Sequence, residues 1–312
     1  MLAVVAWPLI VRAEQTSKVY RLGYLAPAPV PHLRDALFEA LGELGYLEGR
    51  NLKVEYRYGA EEALDALAAE LAGLKPDLIV TVATTQALAT KRATTTIPIV
   101  MATAGDPLRF GVATSLARPG GNVTGVTLYA TELSAKRVEL LREAVPKIDR
   151  LACLANAKNP YGQILWQETE PPARALGLEP MLFQMEKLGD LPATFREMKD
   201  KDANALIVFS DAVFNSARRQ IATLAAEHRL PTMYAGPEFV EDGGLISYGP
   251  NIVEMTRRSA AFVDKILKGA NPADLPIEQP TRFQLAINAR SAKALGLSLS
   301  PTLLARADKV IE

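Results

Sequence analysis

The sequence is poor in the residues that carry most catalytic and redox chemistry. It has one cysteine, Cys153, and two histidines, His32 and His228. A lone cysteine excludes an intrachain disulfide and a thiolate-built zinc or iron–sulfur site. Two histidines leave little for a histidine metal site or a nucleophile–histidine–acid relay. No Gly-x-Ser-x-Gly elbow occurs. The Gly-rich stretch Pro119-Gly120-Gly121-Asn122-Val123-Thr124-Gly125 lacks the Lys-Ser/Thr end of a phosphate loop. Excess charge is missing too: 35 Lys+Arg balance 35 Asp+Glu. That balance argues against broad attraction to nucleic acid or anionic lipid.

What remains is a chain of 312 residues with 49% apolar side chains. This length suits roughly two domains of ~150 residues and buries about three quarters of the unfolded surface without staples. Residues Met1–Ile10 form an apolar run too short to span a bilayer as a helix. Val11-Arg12-Ala13 follows, with small residues at −3 and −1 before Glu14-Gln15, the pattern of a signal-peptidase site. The usual basic n-region is missing. The expectation is that residues 1–13 are a signal peptide remnant and that the protein works in the periplasm or elsewhere outside the cytoplasm.

Beyond the leader, strand and helix patterns alternate. Strands are expected at 19–24, 52–58, 77–82 and 97–101, and helices at 35–47, 61–74 and 85–93. After the breaker at Pro119–Asn122 the alternation resumes. Helices are expected at 134–145, 164–176, 191–199 and 215–228, and strands at 150–155, 180–184, 205–209 and 231–234. Strand-then-helix order calls for parallel sheets with right-handed crossovers. The fold class is therefore α/β, with two doubly wound parallel-sheet lobes. The last sixty residues hold one long helix, 253–267, and strands at 245–249 and 283–287, too little for a third domain. They complete the two lobes through crossings near 122–127, 247–251 and 281–285. The N-terminal lobe is then 18–124 plus 250–282, and the C-terminal lobe 125–249 plus 283–312.

Ligands of open α/β sheets bind beyond the carboxyl ends of the strands. Those ends carry Ala26-Pro27-Ala28, Thr84-Thr85-Gln86, Thr103–Asp106, Asn156–Asn159, Ser210-Asp211 and Ala235–Glu238. Thr84 and Thr85 begin a helix, where free N–H groups favour a carboxylate; simple capping is the competing reading. Asp106, Asp211 and Glu238 are candidates to neutralise an ammonium. A turn before Pro107, a helix cap and a solvated loop charge are their respective alternatives. Tyr161, after Asn159-Pro160, is the favoured aromatic contact in the second lobe. No metal site and no cofactor are expected.

Several stretches carry a resemblance: Arg118–Gly125, Gly243-Gly244-Leu245-Ile246-Ser247-Tyr248-Gly249-Pro250, Ile266–Pro276, Ile287-Asn288 and Ala292–Leu297. Through them the chain resembles ABC-transporter substrate-binding proteins of the group that includes tryptophan- and other aromatic-amino-acid-binding members. The resemblance implies a type I periplasmic-binding-protein fold with three hinge segments. It implies capture of a small solute, best read as an amino acid, and delivery to an ABC permease in the membrane, without catalysis. It places ligand contacts on Ala26–Pro29, Thr84–Thr85, Asp106, Asn159, Asp211 and Glu238. A monomer with no nucleic-acid partner is expected. Two other readings stay open. One is a ligand-sensing partner of a membrane receptor. The other is an enzyme using a cleft carboxylate pair such as Asp106 and Glu238.

Overall fold

The computed structural model describes residues 18–59, 63–128 and 132–312. The leader, 1–13, lies outside the described residues. The chain opens with β1 (Tyr20–Ala26), α1 (Pro31–Glu43), β2 (Leu52–Tyr58), α2 (Leu64–Gly73), β3 (Leu78–Val82), α3 (Thr84–Ala93), β4 (Ile99–Thr103) and β5 (Val123–Gly125). These strands form one sheet in the order β2-β1-β3-β4-β5, with every pairing parallel. β3 and β4 are buried along their whole length, as strands covered on both faces must be.

The second sheet is built from β6 (Arg150–Asn156), β7 (Glu179–Met185), β8 (Ala205–Val208), β9 (Thr232–Tyr234), β10 (Ile246–Gly249), β11 (Gln284–Asn288) and β12 (Lys309–Ile311). Its order is β12-β11-β10-β9-β8-β6-β7. The helices between are α4 (Glu132–Ala144), α5 (Pro160–Ala175), α6 (Leu191–Asp200), α7 (Ala212–Ser216), α8 (Arg218–Glu227) and α9 (Pro237–Glu241). After β10 comes α10 (Ile252–Leu267), and after β11 come α11 (Ala289–Ala294) and α12 (Pro301–Ala305).

Helix α10 returns to the first sheet. Its Met255, Phe262, Val263 and Ile266 share a core with Leu37, Leu41 and Val100. Tyr46 donates its hydroxyl to Asp264 at 2.9 Å, and Arg257 reaches Glu39 at 3.3 Å and Glu43 at 2.6 Å. The chain therefore passes between the two sheets three times: after β5, between β10 and α10, and before β11. That return explains one departure from all-parallel pairing. β10 leads out of the second lobe, and β11 re-enters from the same side, so the two lie antiparallel.

Two hinge glycines are fixed by close backbone approach. Gly125 adopts φ +126°, and a Cβ there would stand 2.3 Å from the Met101 carbonyl oxygen. A Cβ on Gly249 would lie 1.9 Å from the Ala235 carbonyl oxygen. Pro31 starts α1 four residues before the apolar stripe suggests, since proline is preorganised at a first helical position. The helix expected at 215–228 is two helices, α7 and α8, joined at Ala217. Cys153 is fully buried in β6, and burial raises its thiol pKa. Among the described residues no helix is long and apolar enough to cross a membrane.

Candidate ligand-binding cleft

The carboxyl ends of the two sheets meet around a cavity of ≈ 440 Å³, counted out to its mouth. From the first lobe come Leu33 of α1, Val82, Ala83, Thr84, Thr103, Ala104 and Gly105. From the second come Asn159, Tyr161, Ser210, Asp211, Ala212 and Asn215, and Leu128 and Ile252 stand beside two of the crossings. A space of ≈ 290 Å³ adjoins it at Pro27, Thr85, Gln86, Asn156 and Val213. Another of ≈ 290 Å³ runs toward the hinge, past Leu133, Arg137, Leu165, Ala235 and Pro250.

The first-lobe wall turns on Ala83. This alanine sits at φ 77°, ψ 164°, a region reserved for glycine, which costs about 1–3 kcal/mol and is tolerated where function needs it. Its N–H donates to the Thr103 carbonyl at 2.6 Å, pinning the strained turn to β4. The turn starts α3 abruptly, with no side chain capping it. The first-turn N–H groups of a helix have no intrahelical acceptors, so this end offers unspent donors and the positive end of the helix dipole. Thr84 does not cap its own helix. Its Oγ1 accepts the Gly105 N–H at 2.8 Å, tying the β4 loop to α3. The Thr85 hydroxyl donates to the Gln86 Oε1 at 2.8 Å.

The second-lobe wall is a hydrogen-bonded set. Asn159 caps α5 by accepting the Tyr161 N–H at 3.1 Å, and its Nδ2 donates to Asp211 Oδ2 at 2.8 Å. Asn156 donates to the same oxygen at 3.2 Å. Asp211 caps α7, its Oδ1 accepting the N–H groups of Val213 at 2.7 Å and Phe214 at 3.1 Å. All four donors are neutral, and among the described residues no ion pair to this carboxylate is formed. Among the described residues no group of three or more His, Cys, Asp or Glu is placed to hold a metal.

Of the residues expected at the site, Thr84, Asn159, Tyr161 and Asp211 line the central cavity, and Pro27 and Thr85 line the adjoining space. Ala26, Asp106 and Glu238 are not brought to either wall. Ala26 ends β1 with its side chain buried in the first-lobe core. Asp106 turns inward, where its Oδ1 accepts the N–H groups of Leu108 at 2.9 Å and Arg109 at 3.1 Å, the turn role that Pro107 suggests. Glu238 is buried in α9, and burial holds its carboxyl above the usual carboxylate range.

Sequence reasoning missed Ala83, Arg137 and Asn215. Nothing in an alanine codon or an apparent mid-helix arginine announces a strained turn or a hinge contact. Gly105 and Ser210 stand on the strand ends themselves, and both line the cavity.

A family model described as ABC transporter substrate binding protein matches residues 30–311. A tyrosine-binding protein of Clostridioides difficile is 24% identical over 266 residues, covering 85% of this chain and 76% of that protein. Two solved structures superpose closely. One is a conserved domain protein from Vibrio cholerae, with TM-score 0.88 and 26% identity over 94% of this chain and 100% of the other. The other is an ABC domain from Streptococcus pneumonia in complex with L-Trp, with TM-score 0.86 and 25% identity, over 94% and 100%. The family match takes in every strand of both sheets except β1, and all three passages between them, and the chain belongs to the ABC transporter substrate-binding proteins.

Proposed function

We propose that the protein captures an α-amino acid with an aromatic side chain between its lobes and hands it to an ABC permease. One observation carries this reading: an uncapped helix N-terminus and a carboxylate that has no cationic partner among the described residues both border a single, largely apolar cavity. An amino acid complements that arrangement. Its carboxylate takes the N–H groups of Thr84 and Thr85, its ammonium faces Asp211, and its side chain lies against Tyr161, Leu128 and Ile252. Burial in the closed cleft demands partners for both ligand charges, and the two walls supply them. The relatives' ligands, tyrosine and tryptophan, agree with this chemistry.

In this reading the lobes are 18–124 with 250–282 and 125–249 with 283–312. The ligand favours closure because it touches both. Export through the leader, a periplasmic or extracytoplasmic place and a monomeric state belong to the same proposal. So does the absence of catalysis: neither histidine lines the cavity.

The test is a panel of amino acids against protein refolded to strip carried ligand. Stabilisation should grow as ~RT ln(1+[L]/Kd). Aromatic amino acids should raise the melting temperature and give saturable heats in calorimetry. A panel without any response would reject the amino-acid reading.

A further inference from the structure

Asn215 is a residue of the cavity wall, is 4% exposed, and has a side chain whose two polar atoms both lack a partner. Among the described residues no other cavity-lining side chain carries such an orphaned atom. A buried amide with neither its NH2 nor its carbonyl paired is strongly disfavoured, and native proteins give such groups a partner. The neighbours here are already engaged. Asp211 spends both oxygens on Val213, Phe214, Asn156 and Asn159. Arg218 reaches the Asn215 backbone carbonyl at 3.2 Å, not its side chain. Across the cavity the wall is apolar, with Leu33, Val82, Leu128 and Ile252.

We infer that Asn215 selects the ligand's side chain: it favours an aromatic ring bearing a hydrogen-bonding group over a bare hydrocarbon ring. This inference rests on the amino-acid reading above. A phenol hydroxyl offers the amide both a donor for Oδ1 and an acceptor for one hydrogen of Nδ2. An indole N–H satisfies Oδ1 alone. A phenyl ring satisfies neither and leaves the amide dry and unpaired. Sites that pair a ligand hydroxyl discriminate against the analogue lacking it for this reason.

The experiment measures Kd for tyrosine, tryptophan and phenylalanine on the full chain and on Asn215→Leu. The wild type should prefer tyrosine over phenylalanine by about tenfold or more. In Asn215→Leu tyrosine should weaken by about tenfold or more, tryptophan by less, and phenylalanine should tighten. The opposite movement of tyrosine and phenylalanine distinguishes selection from general damage to the cleft. Should the leucine variant fail to fold, the same ratio is read on Asn215→Ala. A wild type that binds all three equally, or a ratio unchanged by substitution, overturns the inference while leaving amino-acid binding intact. A wild type that binds none of the three overturns it as well, and amino-acid responses elsewhere in the panel show whether the broader reading survives.

Discussion

Gly105 lies directly against the ring of Tyr161: a Cβ built on the glycine would stand 2.5 Å from Cδ2 and 2.6 Å from Cγ. One residue follows β4 of the first sheet and the other begins α5 over the second, so the contact spans the cleft. Phe110 meets the same tyrosine edge-on at 6.5 Å, and Arg109 comes within 3.7 Å of Glu168 across the same gap. The lobes are held face to face, and the glycine is what lets them meet. Gly105→Ala should therefore oppose closure. Overpacking costs of about 1–3 kcal/mol translate to roughly 5- to 150-fold weaker ligand binding. The melting temperature of the ligand-free protein should scarcely move, because the methyl is accommodated once the lobes part. Calorimetry and small-angle scattering check this; wild-type affinity in the variant would show that the contact does not limit closure.

Arg137 gives a second prediction, at the hinge. Its guanidinium is 6% exposed, and its Nε donates to the Tyr248 carbonyl at 2.7 Å. No carboxylate among the described residues figures among the groups that set its pKa, and burial pushes that pKa down to about 10. It thus ties α4 to the end of β10, just before the chain leaves for the first lobe. Arg137→Met removes a charge-assisted bond and leaves a buried carbonyl unpaired. The loss should be about 2–3 kcal/mol in denaturant unfolding. An unchanged midpoint would mean that water or a neighbouring donor takes over.

The strand–helix alternation was legible because buried parallel strands and amphipathic helices write different periods into the chain. β5 was not: Val123-Thr124-Gly125 is three residues long and follows a Pro-Gly-Gly breaker. β12, with Lys309 and Val310 exposed, shows no apolar face to read. At the candidate site, the strand-end rule pointed to Thr84, Asn159, Tyr161 and Asp211, which line the cavity, because topology alone gathers those positions. It also nominated Asp106 and Glu238, since residue type does not say which way a side chain turns. Asn215 stayed hidden because its interest lies in the bonds it does not make.

His32 sits on α1 with Nε2 buried and unpartnered. Arg218, Asp242 and Glu241 of the second lobe face it, together with Asp35 of its own helix. Desolvation, then Arg218, lower its pKa, and these outweigh the three acids. A histidine lowered in this way is neutral in the closed form. Its protonation works against closure, so ligand affinity is fully present above the ordinary histidine value and falls as pH drops below about 6.5. Kd titrations between about pH 8 and pH 5 should show that fall, and His32→Gln should flatten it. An equally steep profile in the variant would assign the effect to another group.

Asp211 supplies the sharpest test of the ammonium role. Its four contacts are all donors, two from backbone N–H groups and two from asparagine amides. Asparagine at this position has only one acceptor oxygen, so Asp211→Asn must set an NH2 group against existing donors. A loss of about 1–2 kcal/mol in stability is expected from the weakened cap and network. Charge removal should weaken amino-acid binding by about tenfold or more, beyond that structural cost. A desamino analogue, with the same ring and carboxylate, separates the two effects in a double cycle. The wild type should prefer the amino acid to its analogue, and Asp211→Asn should bind the two nearly alike. If the variant retains the full preference, the ammonium is recognised elsewhere, and Asp211 serves only to cap α7 and order the Asn156 and Asn159 loop.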